Sequence, residues 1–523
     1  MKILPENHRV INPTGYWEPT SEGGTASTFL PSLTEQLLDL KAFIDFSVEK
    51  GLLAHEVEQE VWNRMLELGR RSLSLYFEKV GDGDQGEEVT LPDGRCLHRF
   101  GKLHKRPYQS VFGAFEIERF VYGKREGQKI EYVPVDEHLG LPASKYSYLL
   151  QDWDQSLVVE SSYAEVSRTM QRILGFSQPV DSLERMSRKM ADSVVDYWDG
   201  LEIPPSEEEG EIQVLSADGK GIPMRRPSKT PRIEHHQASK GPKPDSKRMA
   251  LLGASYSVDR FARTPEEIVA SLFRDPETSE KPKGKRPTPC HKRVRASMAR
   301  CEKDTMQPSY EEIFGWLSGE ADQRNPNGER PLVVLMDGQQ SLWNAAKSSL
   351  PENTVEIIDF LHVTPRLWNA AHVFHSQGSP EASEFVQKRA LMILSGQVKS
   401  VIKGLKRMAT CNGIKGKKLE QLKSVWGYFE EHQHRMKYDL YLAGGYPIAT
   451  GVIEGACRHL VKDRLERSGM RWTFEGAQAL LDLRSIHIGE QWAGLQKFRI
   501  QQETERLYQN VRLHDSYYCK IAA

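Results

Sequence analysis

Two stretches, Glu211–Gly221 (EIQVLSADGKG) and Leu332–Gln340 (LVVLMDGQQ), share one grammar: a short apolar run that closes on an aspartate followed by glycine. Apolar runs of this length, bounded by turn residues, read as strands buried on both faces of a sheet. Helical spacing from Tyr310 to Asp322, a strand pattern from Val355 to Phe360 and a helical one from His362 to Phe374 complete an alternation of strand and helix. Asp218 and Asp337 are therefore expected at strand carboxyl ends, where α/β sites form. Each alone also reads as a turn aspartate bonding its own backbone. Two in one α/β unit favour a shared site.

A third acid, Glu454, lies in GVIEGACRHL, just after the helix-start pattern Ala449-Thr450-Gly451. The helix dipole favours an acid there without any further role. Glu454, Arg458 and Lys462 recur every four residues and share one face of an unbroken helix. That face reads equally as a carboxylate followed by two phosphate-binding cations or as a salt-bridged surface stripe.

With 523 residues, 38% hydrophobic and 27% charged, the composition is that of a globular chain of roughly three or four domains. The net charge of −1 excludes a uniformly basic nucleic-acid binder, although 220–248 and 281–303 are locally rich in Lys and Arg. MKILPENHRV has no basic leader followed by an apolar core, and no apolar run approaches membrane-spanning length, so a soluble, unexported protein is expected. The six cysteines form no CxxC pair, which fits a reducing cytoplasm and no disulfide framework. Cys290, His291 and Cys301 lack the fourth well-spaced ligand of a zinc site.

The expected organisation is multidomain α+β. An N-terminal helical region (1–80) is broken at Gly51, and a small β-rich module (85–140) has a hairpin signal at Pro92-Asp93-Gly94. A helix-turn-helix-like region follows (145–202): helix Tyr163 to Leu174, Gly175, then a second helix from Ser182 to Tyr197 capped by Asp181 and carrying Arg185, Arg188 and Lys189. This outline is shared by plain helical hairpins. The first part of an α/β core (211–375), an all-helical segment (380–445) and C-terminal helices carrying Glu454 (448–523) complete the chain. Residues 274–304 read as a long basic loop.

The motifs SADGKGIPM, LVVLMDGQQSLW, IIDFLHVTPRLWNAAHVF and GVIEGACRHLVKDRLERSGMRWTFEGAQALLDLR together resemble bacterial insertion-sequence transposases of the DDE class, nearest to the ISKra-type (ISKra-four) family. The resemblance covers roughly 211–485, and the last motif is its most specific part. It implies an RNase H-like catalytic core interrupted by a helical insertion, with Asp218, Asp337 and Glu454 holding two Mg²⁺ (or Mn²⁺) ions. The implied activity is cleavage at the ends of a mobile element and joining of the freed 3′-OH to target DNA.

It further implies double-stranded DNA as partner (terminal inverted repeats and target), a homodimer or higher oligomer on DNA, and a bacterial cytoplasmic, nucleoid-associated location. Asp359 and His362 match a Cys-or-Asp, two residues, then His pattern of related enzymes, with His362 positioning a phosphate or supporting a ligand; a structural helix-start histidine is the alternative. The 117 residues between Asp337 and Glu454 fit a helical insertion. Trp426 within it is a candidate for base stacking, and Arg467, Arg471 and Trp472 for lining the DNA path. The Cys-x-x-Cys pairs of some relatives are missing after the β-rich module, so no zinc is expected there. Other readings are a domesticated, non-catalytic DNA-binding protein and a cellular RNase H-like nuclease or resolvase.

Overall fold

The computed structural model describes residues 32–225, 247–273, 286–298, 300–302, 305–307, 309–467 and 469–508. The first 31 residues, most of the basic stretch 220–248 and the ends of 281–303 lie outside the described residues. The chain is mixed α+β and divides into two compact units, residues 1–186 with 496–523, and residues 187–495. The C-terminal segment expected as one piece from 448 is thus shared, Gln496 onward belonging to the first unit.

In the first unit, helices Leu33–Lys50 and Ala54–Val80 are separated at Gly51, whose φ of 65° needs a residue without Cβ. Short strands follow between Glu88 and Gly123, and Gly94 closes the hairpin turn by donating to the Leu91 carbonyl at 2.9 Å. Helix Tyr163–Leu174 is stopped by Gly175 in the left-handed region. The next helix begins at Val180, so Asp181 sits in its first turn rather than capping it, and it ends at Ala191 instead of running to Tyr197. A separate helix, Val194–Asp199, lies in the second unit.

The second unit is built on a five-stranded mixed sheet. Its strands are β1 (Ile212–Pro223), β2 (Lys247–Val258), β3 (Cys290–Met298), β4 (Leu332–Met336) and β5 (Val355–Ile358), in the order β5-β4-β1-β2-β3. β4 pairs in parallel with both β1 and β5, whereas β2 runs antiparallel to β1 and β3. Val214, Leu215, Val333, Val334 and Leu335 are buried, as both-face strands require.

Two expectations change here. β1 does not end at Ala217: β2 pairs with it along all twelve residues, carrying the strand through Asp218 to Pro223. The glycines read as a turn instead allow close approach, since a Cβ at Gly219 would meet the Met249 side chain at 2.9 Å. Part of the expected basic loop is strand β3, because its arginines have partners. Arg293 pairs with buried Glu320 at 2.9 Å, and the Arg295 guanidinium lies over the rings of Trp198 and Trp316.

After β5, helix α1 (Phe360–Phe374) is followed by α2 (Pro380–Leu394), α3 (Val398–Cys411), α4 (Gly416–His432) and α5 (Tyr438–Ala443), so this part is all-helical as its periodicity predicts. Pro365 inside α1 cannot donate to the Leu361 carbonyl, which accepts from Thr364 Oγ1 at 3.1 Å instead. The core of this unit runs continuously from the sheet through these helices.

Asp154, in the helix Tyr148–Val158 of the first unit, is fully buried and neither carboxylate oxygen has a hydrogen-bond partner of good geometry. Burial pushes its carboxyl up to about 7, Gln178 nearby opposing the shift only weakly. The folded state therefore favours the protonated acid. Its contribution is full below the unfolded value near pH 4 and is lost as pH rises towards 7. Asp154→Asn should gain about 2–4 kcal/mol over wild type at pH 8 and almost nothing at pH 4. Thermal melts across this range check it; a gain independent of pH would contradict the assignment.

Candidate active site

The parallel register of β1 and β4 builds the centre of the site. Leu332, Val333 and Val334 pair with Gln213, Val214 and Leu215, and the same register continued three residues puts Asp337 beside Asp218. Adjacent strands lie about 4.8 Å apart, so the two carboxylates stand as neighbours. Asp337 Oδ1 accepts from Gln339 N at 2.8 Å, and Trp343 Nε1 donates to the Asp337 carbonyl at 2.7 Å, which fixes the turn into the following helix. Asp218 Oδ1 accepts from Gly219 N at 2.7 Å, and its Oδ2 accepts from the thiol of Cys457 at 3.1 Å.

Glu454 faces this pair from helix α6 (Gly451–Ala456), whose N-cap is Thr450. Asp359, buried to 0% exposure, ties the three regions together. Its backbone N–H donates to the Met336 carbonyl at 2.8 Å, and the next N–H, of Phe360, donates to Ile448 at 2.9 Å. Its Oδ1 accepts from Leu361 N at 2.8 Å; its Oδ2 accepts from Thr450 Oγ1 and contacts His362 Nδ1 at 3.1 Å. One buried carboxylate thereby orients the start of α1, the cap of α6 and the imidazole.

Electrostatics mark the acids as a group. Burial raises the Asp337 carboxyl above the usual range despite the Gln339 N–H that lowers it, and Asp218 raises it further. Burial also raises Glu454, with Asp359 and Asp218 adding to it against the opposing His362. His362 is shifted up chiefly by its hydrogen bond to Asp359, with Asp337 and Glu454 contributing. Among the described residues Asp218, Asp337 and Glu454 enter no ion pair, although the His362 charge acts on Asp337 and Glu454.

Ligand atoms of Asp359, His362 and Glu454 all lie within 4.8 Å of one another, the tightest metal-sized grouping among the described residues. It differs from the triad expected from sequence. Asp359 is the poorer ligand of the two sets: both its oxygens are already engaged and it is sealed from solvent. His362, 44% exposed, has Nδ1 directed at Asp359 and keeps Nε2 for the site. The ligand atoms of Asp218 and Asp337 are not part of that grouping, so of the expected triad only Glu454 falls within it.

The expected DNA-contacting residues divide. Arg185 and Lys189 are exposed, Arg188 half-buried; Arg185 reaches Ser182 Oγ at 3.2 Å and Lys189 pairs with Asp192 at 3.1 Å. Arg458, Lys462, Arg467 and Arg471 are exposed. Arg458 and Lys462 do not continue one face with Glu454, because α6 passes at Cys457–Lys462 into a π-helical turn. Its wider i→i+5 repeat breaks the four-residue spacing.

Trp472 is core, not a DNA-path residue. It is buried, donates Nε1 to Leu465 at 3.0 Å, stacks under Arg464, and its backbone extends the sheet edge at Met224. Trp426 packs partly buried against the core, with Lys406 over its ring.

Sequence reasoning missed Cys457 and Tyr428. A Cβ at Gly338 would stand 2.2 Å from the Tyr428 ring, so α4 sits directly on the Asp337 turn. Only the Asp-Gly step hinted at such an approach. No protein-family model matches the chain, and no curated protein matches it either.

Gly338→Ala should cost about 1–3 kcal/mol by forcing the Tyr428 ring away. Denaturant melts check this, and in a Tyr428→Ala background the same substitution should cost little. Equal cost in both backgrounds would contradict the contact.

Proposed function

We propose that this chain is a DDE-type transposase of the insertion-sequence class, with an RNase H-like core in its second unit. The observation that carries the reading is the parallel pairing of β4 with β1, whose continued register brings Asp337 towards Asp218, with the Asp218 charge acting on both Asp337 and Glu454. Supporting it are the mixed sheet order and the all-helical segment between β5 and Glu454, which is read as the family's insertion.

Divalent ions held by Asp218, Asp337 and Glu454 would neutralise the attacking and leaving oxygens of a phosphodiester and lower the pKa of a bound water. The protein's own part is positional. Asp359 fixes His362 so that Nε2 is turned to the site, where it can hold a phosphate oxygen. Cys457 orients Asp218 through its thiol, which burial and Asp218 keep protonated and therefore a donor. The exposed Arg185 and Lys189, with the half-buried Arg188, are assigned to terminal-repeat DNA, and two copies are needed to bring two ends together.

The test is a labelled duplex carrying the repeats that flank the gene, incubated with Mg²⁺ or Mn²⁺. Strand cleavage is expected, and Asp218→Ala, Asp337→Ala and Glu454→Ala should each lower its rate by about 10³-fold or more. Cleavage at the wild-type rate by any of them removes that residue from the site.

A pH dependence follows from the raised carboxyls. Protons compete with metal at Asp337 and Glu454, so the metal concentration for half-maximal rate should rise as pH falls into the acid range. A metal requirement unchanged by pH would contradict their role as ligands.

A further inference from the structure

A site made of carboxylates cannot by itself attract a phosphodiester, and two nearby cations form no ion pair among the described residues. Lys220 lies two residues beyond Asp218 on β1 and so projects from the same face of the strand. It forms no ion pair or hydrogen bond among the described residues, although its charge is felt by the Cys457 thiol that bonds Asp218.

Arg366 lies one turn beyond His362 on α1, on the same helical face. Its guanidinium carbon stands 4.7 Å from the centre of the Tyr428 ring, the ring that rests on Gly338 next to Asp337. It too forms no ion pair or hydrogen bond among the described residues. Stacking uses the flat face of a guanidinium and leaves its edge donors directed outward.

Lys220 lies on the strand that carries Asp218, and Arg366 on α1, the helix that follows β5. Both are half-buried.

We infer that Lys220 and Arg366 are paired phosphate clamps, which lead a DNA strand across the Asp218–Asp337 carboxylates with one backbone phosphate held on each side. Tyr428 is the positioning residue that holds Arg366 for this contact. The inference rests on the DNA-cleaving reading and adds the path of the strand to it.

The test uses the full chain and a fluorescein-labelled DNA duplex, with affinity measured by anisotropy across a range of KCl concentrations. Ca²⁺ is present to neutralise the carboxylates. Each phosphate contact contributes about 0.9 to the slope of log affinity against log salt. Lys220→Gln and Arg366→Gln should each reduce that slope by about 0.9, and the double variant by about 1.8. Arg366→Lys should keep the wild-type slope, and comparison of Arg366→Gln with Arg366→Lys at matched melting temperature separates lost contact from lost folding.

Unchanged slopes in the glutamine variants, with wild-type DNA binding intact, overturn the clamps and leave the DNA-cleaving reading standing. Failure of the wild-type chain to bind the duplex at all overturns both.

Discussion

Burial of acidic side chains where two parallel strands run side by side is the constraint at the centre of the second unit. The parallel pairing of β1 with β4 is set by buried apolar runs, and its register brings Asp337 towards Asp218. The raised carboxyl of Asp337 records that cost, with burial as its larger part. A sheet stabilised only for its own sake would place a cation or an apolar residue there. On the proposed metal-binding reading, a divalent cation would relieve that crowding, because carboxylate oxygens are its ligands.

What keeps this arrangement from relaxing is a short set of directional bonds. Asp359, sealed from solvent, links the end of β4, the start of α1 and the cap of α6, so Glu454 cannot move away from the aspartates without breaking contacts to Thr450 and His362. A buried carboxylate with satisfied oxygens costs little, whereas removal of one partner leaves it exposed to the full desolvation penalty. From the other side, Tyr428 presses on Gly338 and stops the Asp337 turn from opening. The helical segment is thus part of the site's frame.

The central strands and acids were legible because their signals are local. Apolar runs ending in Asp-Gly mark β4 and the start of β1, and helical periodicity marks 380–445. Features that depend on partners distant in sequence were not. Asp218 reads as a turn residue until β2 is known to pair past it, and β3 reads as a loop because Arg293 and Arg295 look solvated until Glu320, Trp198 and Trp316 are seen to hold them. The π-helical turn after Glu454 has no signature in spacing, so Arg458 and Lys462 were grouped with it. Trp472 was taken for a surface aromatic because nothing local shows the sheet edge that covers it.

The position of a bound divalent ion separates the two possible ligand sets. Anomalous scattering from crystals soaked in Mn²⁺ should show density bridged by the Asp218 and Asp337 carboxylates and reached by Glu454, with Asp359 left bonded to Thr450 and His362. An ion held by Asp359, His362 and Glu454 alone, with Asp218 and Asp337 unligated, would contradict the proposed triad.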